Sequence, residues 1–361
     1  MKSGLEDVVA AETVLSDVDG KNGRLIVRGV SLDELVRTSR YEDVLALLFD
    51  GFFPLEGSLQ AALGRARVEV SGHVARADVE LVALPPVDGM RALLARLGDG
   101  NDVESALRLV AAPAMFTTAL LRRKAGLETV APDPALGHAA DTLRMLTGDM
   151  PSEQQASALD RYLVTVSDHG LNASTFASRV IASTQAGLTS SVLAALSALK
   201  GPLHGGAPGP VLDMLDAVGS PANAEGWIAS ELARGERLMG FGHRVYRVRD
   251  PRADALKGAV RLLAASGAID AGRLALAEAV ETSALAQLRL KKPDRPLETN
   301  VEFYTALLLE SLGFPREAFT CVFAMGRVGG WIAHAREQAV DGRLIRPMSV
   351  YVGPVPQVAA E

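Results

Sequence analysis

Leu188-Thr-Ser-Ser-Val-Leu-Ala-Ala-Leu-Ser-Ala-Leu-Lys-Gly-Pro-Leu-His-Gly-Gly-Ala207 turns from a helix pattern into a loop at its fourteenth residue. Leu188, Val192, Leu193, Leu196 and Leu199 recur on one helical face, Lys200 closes the last turn, and Gly201-Pro202 stops the helix. His204 therefore sits just past a helix C-terminus. Gly205 and Gly206 follow it without a Cβ, which leaves room for a ligand to approach the backbone and free N–H groups. Two readings are open for this segment alone: a loop that presents an imidazole, or a turn with a surface histidine.

A second segment repeats the arrangement. Met239-Gly-Phe-Gly-His-Arg-Val-Tyr246 sets His243 directly after glycines, with Asp250-Pro251-Arg252 a few residues on. A third histidine, His169, follows a helix with the apolar stripe Leu159, Tyr162, Leu163 and Val166, opened by Ser152-x-x-Gln155; Gly170 and Asn172 come next. The other three of the six histidines, His73, His138 and His334, lack such framing and read as surface or helix residues.

Metal binding is one use for three imidazoles, with Glu302 as a fourth ligand. The spacing gives it little support. No His-x-x-x-His or His-Glu-x-x-His pair is present, and Cys321 is the single cysteine. Arg252, Arg327 and Arg346 stand in Gly- or Pro-marked segments, and their guanidinium forks suit an anionic substrate while repelling a divalent cation. Structural ion pairs are the other reading of each arginine taken singly.

Most of the chain carries the helical period. Ser31-x-x-Glu34 opens one helix and Tyr41–Asp50 continues with another. Further helices are expected over 103–125, 137–147, 152–168, 173–183, 187–200, 222–238, 253–266, 271–290, 301–312 and 315–338. Strand signals are confined to Arg24-Leu-Ile-Val27 and Ser349-Val-Tyr-Val352, so the expected class is all-α. At 361 residues and 48% apolar content the chain exceeds the usual single-domain size and can bury a large core. A single cysteine excludes an intramolecular disulfide framework. The first residues lack a basic region followed by an apolar run, and no uninterrupted 18-residue apolar stretch is present, so the expectation is a cytoplasmic protein with no membrane partner. A net charge of −6 leaves no footprint for nucleic acid.

The ordered set His169-Gly-Leu-Asn172, Gly-Pro-Leu-His204-Gly-Gly-Ala, Gly-Phe-Gly-His243-Arg-Val-Tyr with Asp-Pro-Arg252, Asn300-Val-Glu302-Phe-Tyr, Gly326-Arg327-Val and Ile-Arg346-Pro resembles the citrate synthase family. The similarity runs from about residue 5 to the C-terminus and includes Asp19-Gly-x-x-Gly-Arg-Leu-Ile-Val-Arg-Gly29. It implies a large helical domain, 1–207 with 313–361, and a smaller helical one, 208–312, with the active site in the cleft between them. It implies condensation of an acyl-CoA, acetyl-CoA favoured, with oxaloacetate, giving citrate and CoA without a cofactor or metal, since the CoA thioester is a substrate.

The implied roles follow the family pattern. Glu302 is the base, His204 the hydrogen-bond donor to the thioester oxygen, and His243 the donor to the ketone oxygen. His169, Arg252, Arg327 and Arg346 hold the acceptor's carboxylates, with Asn172 in the same pocket. Arg346 is expected to reach the partner's site in a homodimer. Arg247, Lys291, Lys292 and Arg295 flank the catalytic segments and offer local positive charge for CoA phosphates; solvated charges at helix ends is the other reading of each.

The sequence departs from the family pattern at Glu302, where aspartate is usual. An extra methylene moves a carboxylate by about 1.5 Å, the length of one carbon–carbon bond. Pro208 and Thr299 are two further departures, both beside catalytic segments. They keep two alternatives in play: a 2-methylcitrate synthase that uses propionyl-CoA, and a low-activity member of the family.

Overall fold

Helices form where apolar residues recur at the helical period, and sixteen α-helices occupy the described residues. The computed structural model describes residues 4–5, 8–74, 79–205, 208–243, 245–293 and 297–354. An antiparallel meander opens the chain: β1 (Ser16–Asp19), β2 (Arg24–Val27) and β3 (Val30–Ser31), with Ser16 opposite Val27 and Ile26 opposite Ser31. Then come α1 (Leu32–Thr38), α2 (Tyr41–Phe49), α3 (Leu59–Val74), α4 (Val79–Ala83) and α5 (Pro86–Leu94). The middle of the chain forms α6 (Val103–Lys124), α7 (His138–Thr147), α8 (Glu153–Val166), α9 (Ala173–Ala182) and α10 (Leu188–Leu199). The remainder forms α11 (Pro208–Val218), α12 (Ala224–Ala233), α13 (Pro251–Ala265), α14 (Ala271–Lys291), α15 (Val301–Ser311) and α16 (Phe319–Asp341).

The core is built around α16, which is buried at every residue from Cys321 to Ala335. Helices α2, α5, α6, α8, α9 and α10 pack around it. Its glycines set how closely two neighbours approach. A Cβ on Gly326 would lie 2.4 Å from Val166 Cγ2, and one on Gly330 would lie 2.4 Å from the Ser167 carbonyl oxygen. The end of α8, and with it the turn carrying His169, is thereby seated directly on α16. Helix α6 is long and apolar enough to cross a membrane, but Leu109 through Leu121 are all buried, so its apolarity is spent on the core. Elsewhere α11 and α13 pack on α15 and α12 on α14, while α13 also lies against α8 and α1.

The all-α class and most helix positions match the sequence expectation, with differences that have local causes. Helices α3, α4, α5 and α11 were not expected. Helices α5 and α11 start at Pro86 and Pro208, where a proline in the first turn gives up only an N–H that has no helical partner. Helix α12 stops at Ala233, short of the expected 238, because Gly235 takes a positive φ of 81°. The expected capping box at Ser152 is formed, Ser152 Oγ accepting from the Gln155 amide and Gln155 Oε1 from the Ser152 amide. At Ser31 only the first half forms, the serine accepting from the Glu34 amide. Ser349–Val352 is not a strand; these residues are exposed, without a sheet partner.

Gly330→Ala is expected to destabilise by about 1–3 kcal/mol, the usual cost of forcing an extra methyl into a closed contact. Gly258→Ala, on α13 where a Cβ meets nothing within 4 Å, is expected to be neutral or to stabilise by up to about 1 kcal/mol. Urea denaturation separates the two, and equal midpoints would mean that the α8–α16 contact relaxes freely.

Candidate active site

Helix ends present the chemistry-bearing groups. Asn172, Asp250 and Asn300 are the N-caps of α9, α13 and α15. Arg252 and Glu302 therefore fall in the first turns of α13 and α15. His169 lies in the α8–α9 connection, His204 just past α10, His243 in the loop before α13, and Arg327 midway along α16. The β1–β2 hairpin supports two of these loops: Ser16 Oγ accepts from the Gly170 amide at 3.0 Å, and the Gly20 carbonyl accepts from the Arg247 amide at 2.8 Å.

Asp250 binds the α13 and α15 segments together. Its carboxylate accepts from the Arg252 amide and Nε, both at 3.0 Å, from Arg252 NH2 at 2.8 Å, and from the Val301 amide at 3.2 Å. Beside it, the Asn300 side chain donates to the Gly242 carbonyl at 2.8 Å, and the Gly242 amide donates to the Glu298 carbonyl at 2.7 Å. The histidine loop is thus stitched to the start of the helix that carries Glu302.

The His243 ring has its protonation fixed by neighbours. Its Nδ1 accepts from the Val245 amide at 3.0 Å and the Tyr246 amide at 3.1 Å. Burial, then Arg252, pushes its pKa down to about 4, so the ring is neutral near pH 7 with its proton on Nε2. That nitrogen lies 3.1 Å from Arg252 NH2, which also only donates. Two donors face each other with no acceptor between them.

Tyr246 and Phe323 tie the rest of the set together. The Tyr246 ring lies 4.9 Å from His243, 5.6 Å from His169 and 5.7 Å from the Arg252 guanidinium. His169 and His243 are 5.7 Å apart edge to face, and His169 Nε2 is 3.2 Å from the Tyr246 hydroxyl. The Arg327 guanidinium lies over Phe323 at 4.9 Å, and the His204 ring is 6.4 Å from that same phenyl group. Arg327 donates from Nε to the Val166 carbonyl at 2.5 Å, while its NH2 nitrogen is buried and has no partner among the described residues.

His204 is anchored through Nε2, 2.8 Å from the Ser174 hydroxyl. Ser174 Oγ also accepts from Trp331 Nε1 at 3.1 Å and lies 2.8 Å from Asn172 Oδ1. Its single proton can go to Asn172 or to His204, and the second choice leaves the ring proton on Nδ1. Asn172 Oδ1 holds the Ser174 and Thr175 amides at 3.1 Å in either case. The glycine after His204 serves the fold more than ligand access: a Cβ on Gly205 would meet the Leu199 carbonyl oxygen at 2.5 Å. Gly206 lies outside the described residues.

Burial pushes the Glu302 carboxyl up to about 7; Arg252 and Arg327 act against that rise and Asp250 adds to it. Among the described residues its carboxylate has no hydrogen-bond or ion-pair partner, though its amide donates to Asn300 Oδ1 at 3.0 Å. His169 is held well below the usual histidine range by burial and then by Arg252 and Arg327. Arg327 is pushed down to about 10 by burial, with the Asp168 carboxylate opposing.

His169, His204, His243, Arg252, Glu302 and Arg327 therefore converge, and Asn172 stands behind them as a cap. Arg346 does not join them within this chain; it is exposed on the stretch after α16. Arg247 and Lys292 are exposed, and Lys291 Nζ donates to the Leu232 carbonyl near the end of α12. Arg295 lies outside the described residues. Two other histidines, read from the sequence as surface or helix residues, lie in helices α7 and α16 and not at the surface. His138 and His334 are fully buried, His334 between Arg179 NH1 at 3.0 Å and Asp168 Oδ2 at 3.2 Å. Sequence reasoning missed Tyr246, Phe323, Ser174 and Trp331 as site residues, and saw Asp250 only as part of Asp-Pro-Arg. Among the described residues no three His, Cys, Asp or Glu side chains are grouped as a metal site needs.

A family model described as citrate synthase, C-terminal domain, matches residues 4–348. A putative citrate synthase 2 of Mycobacterium tuberculosis is 39% identical over 98% of this chain and 93% of its own length. A 2-methylcitrate synthase of the same organism is 36% identical over 98% of this chain and 91% of its own. A citrate synthase from Thermoplasma acidophilum, solved as a ternary complex with carboxymethyl coenzyme A and oxaloacetate, superimposes with a TM-score of 0.84 at 28% identity, covering 100% of this chain and 98% of that one. The chain belongs to the citrate synthase family, an all-α family of condensing transferases, as its motifs led us to expect.

Asp250→Asn is expected to destabilise by about 3–5 kcal/mol, because the buried Arg252 loses its charge partner. Urea denaturation measures it, and a loss below about 1 kcal/mol would mean that other contacts hold Arg252 in place.

Proposed function

We propose that this chain condenses acetyl-CoA with oxaloacetate to give citrate and free CoA. The observation that carries the reading is that His243 Nε2–H faces the second N–H of Arg252 NH2 at 3.1 Å, donor against donor, with the Glu302 carboxyl, unpartnered among the described residues and raised to about 7, beside them. A keto acid supplies the missing acceptors: its ketone oxygen takes the His243 proton, and its carboxylates take Arg252, His169 and the free NH2 of Arg327.

Glu302 then removes a proton from the thioester methyl. His204, anchored on Ser174, donates from Nδ1 to the enolate oxygen as negative charge develops. The enolate carbon attacks the ketone, the resulting alkoxide is held by His243, and water cleaves the thioester to release CoA. The CoA thioester is a substrate, and the reading calls for no cofactor. Asn172 acts through α9, capping the helix turn that carries Ser174 by accepting from the Ser174 and Thr175 amides. Arg247, Lys291, Lys292 and Arg295 remain the proposed CoA phosphate contacts.

We take 208–312 and the rest of the chain as two domains that close on the acceptor, in a cytoplasmic homodimer whose Arg346 reaches the partner's site. The exposed apolar side chains of Leu344, Met348, Val350, Tyr351 and Val352 around Arg346 support a covered tail. The longer arm of Glu302 and the 36% identical 2-methylcitrate synthase keep propionyl-CoA as the second reading.

Glu302→Gln is expected to lower thiol release by about 100-fold or more, the contribution of a positioned base, while oxaloacetate affinity by calorimetry changes less than about twofold. Because Glu302 acts only when ionised, the wild-type kcat/KM should fall as pH drops below about 7, with His243 staying neutral down to about 4. Undiminished activity in the variant, with the acid limb intact, would remove Glu302 from the chemistry.

A further inference from the structure

Glu281 of α14 is buried, with 4% of its surface exposed. Its Oε1 accepts from the Thr299 hydroxyl at 2.7 Å and from Arg249 NH1 at 3.3 Å. Its Oε2 accepts from the Tyr304 hydroxyl at 2.6 Å and from Lys257 Nζ at 2.5 Å. All four donors stand near the proposed catalytic groups in sequence: Arg249 and Lys257 flank Arg252, and Thr299 and Tyr304 flank Glu302.

The cleft of about 520 Å³ above this carboxylate is lined by Arg249, Lys257, Arg261 and Arg289, which suggests an anion site at first sight. The charges decide against it. Arg249 pairs with Asp254 and Glu281, Lys257 with Glu281, Arg261 with Glu278, and Arg289 with Glu298. Four cations thus meet four carboxylates, and the cleft has no surplus positive charge for a ligand phosphate. It is the solvent side of a structural hub.

We propose that Glu281 is a positioning residue for the condensation: it holds the first turn of α15, and with it the Glu302 carboxylate, at a fixed distance from Arg252 and His243. The inference rests on Glu302 being the base. Thr299 is the link on the α15 side. Its hydroxyl bonds Glu281, its position pairs with Phe241 across an isolated antiparallel bridge, and the next residue, Asn300, caps the helix. Burial works against the Glu281 charge, but the Lys257, Tyr304 and Thr299 hydrogen bonds more than offset it and hold its pKa below the usual glutamate value. An ionised carboxylate keeps all four donors engaged, and a neutral amide of the same shape cannot. Since a misplacement near 1 Å in a catalytic group costs on the order of 100-fold, loosening this hub should appear in turnover rather than in acceptor binding.

The test compares Glu281→Gln, Thr299→Val and Thr299→Ser in the full-length protein, measuring kcat for thiol release, oxaloacetate Kd by calorimetry, and thermal midpoint. We expect Glu281→Gln to lower kcat by tenfold or more and Thr299→Val by threefold or more, each with oxaloacetate Kd within twofold of wild type. Thr299→Ser, which keeps the hydroxyl, should recover most of the rate lost in Thr299→Val. If Glu281→Gln does not fold, the Thr299 pair decides alone. A lowered thermal midpoint with unchanged kcat in Thr299→Val would overturn the proposal and leave Glu281 a stability element. Glu302→Gln run alongside separates the two ideas: if it keeps full activity the base assignment fails, and if it is inactive while the Glu281 and Thr299 variants keep kcat, only the positioning proposal fails.

Discussion

The Asp250 carboxylate is the fixed point of the site. It caps α13, clamps the Arg252 guanidinium from two sides and accepts the Val301 amide at the start of α15. One buried anion thus sets the separation between a permanently charged fork and the helix turn that bears Glu302. Burying an ion pair is costly unless its remaining hydrogen-bonding capacity is filled, and here the backbone amides of two helix starts fill it. Glu281 repeats this logic one layer further back, with side-chain donors in place of amides.

The electrostatics in front of Asp250 follow from what it leaves unsatisfied. Arg252 has one N–H directed to His243, and the backbone amides of Val245 and Tyr246 force the His243 proton onto the nitrogen that faces Arg252. Arg327 keeps a buried NH2 without an acceptor among the described residues. Each of these arrangements is unfavourable by itself and becomes favourable when paired with an anionic, oxygen-rich molecule. Glu302 complements them. Burial leaves its carboxyl partly protonated near neutral pH, which avoids a second bare charge beside Asp250.

Much of this was legible in the sequence because glycine, proline and short polar caps mark loop boundaries locally. Gly-Phe-Gly before His243 and Gly-Pro before His204 announce presented imidazoles, and the apolar period of 188–199 announces the helix that ends beside one of them. The glycines of Gly326-Arg-Val-Gly-Gly330 were also visible, although their purpose, seating α8 on α16, depends on a helix more than 150 residues away. What stayed hidden has no local signal. Ser174 meets Trp331 and His204 only after folding, Phe323 sits between His204 and Arg327 by virtue of helix packing, and Glu281 looks like any charged residue on an amphipathic helix. His334 is a helix residue, one of the two readings its sequence offered, but nothing near it in sequence announces its burial between Arg179 and Asp168.

The most direct test is thiol release by the purified wild-type protein from acetyl-CoA and from propionyl-CoA, each with and without oxaloacetate. The account predicts release that requires oxaloacetate and is faster with acetyl-CoA. Equal release without oxaloacetate, or none with either thioester, would contradict it.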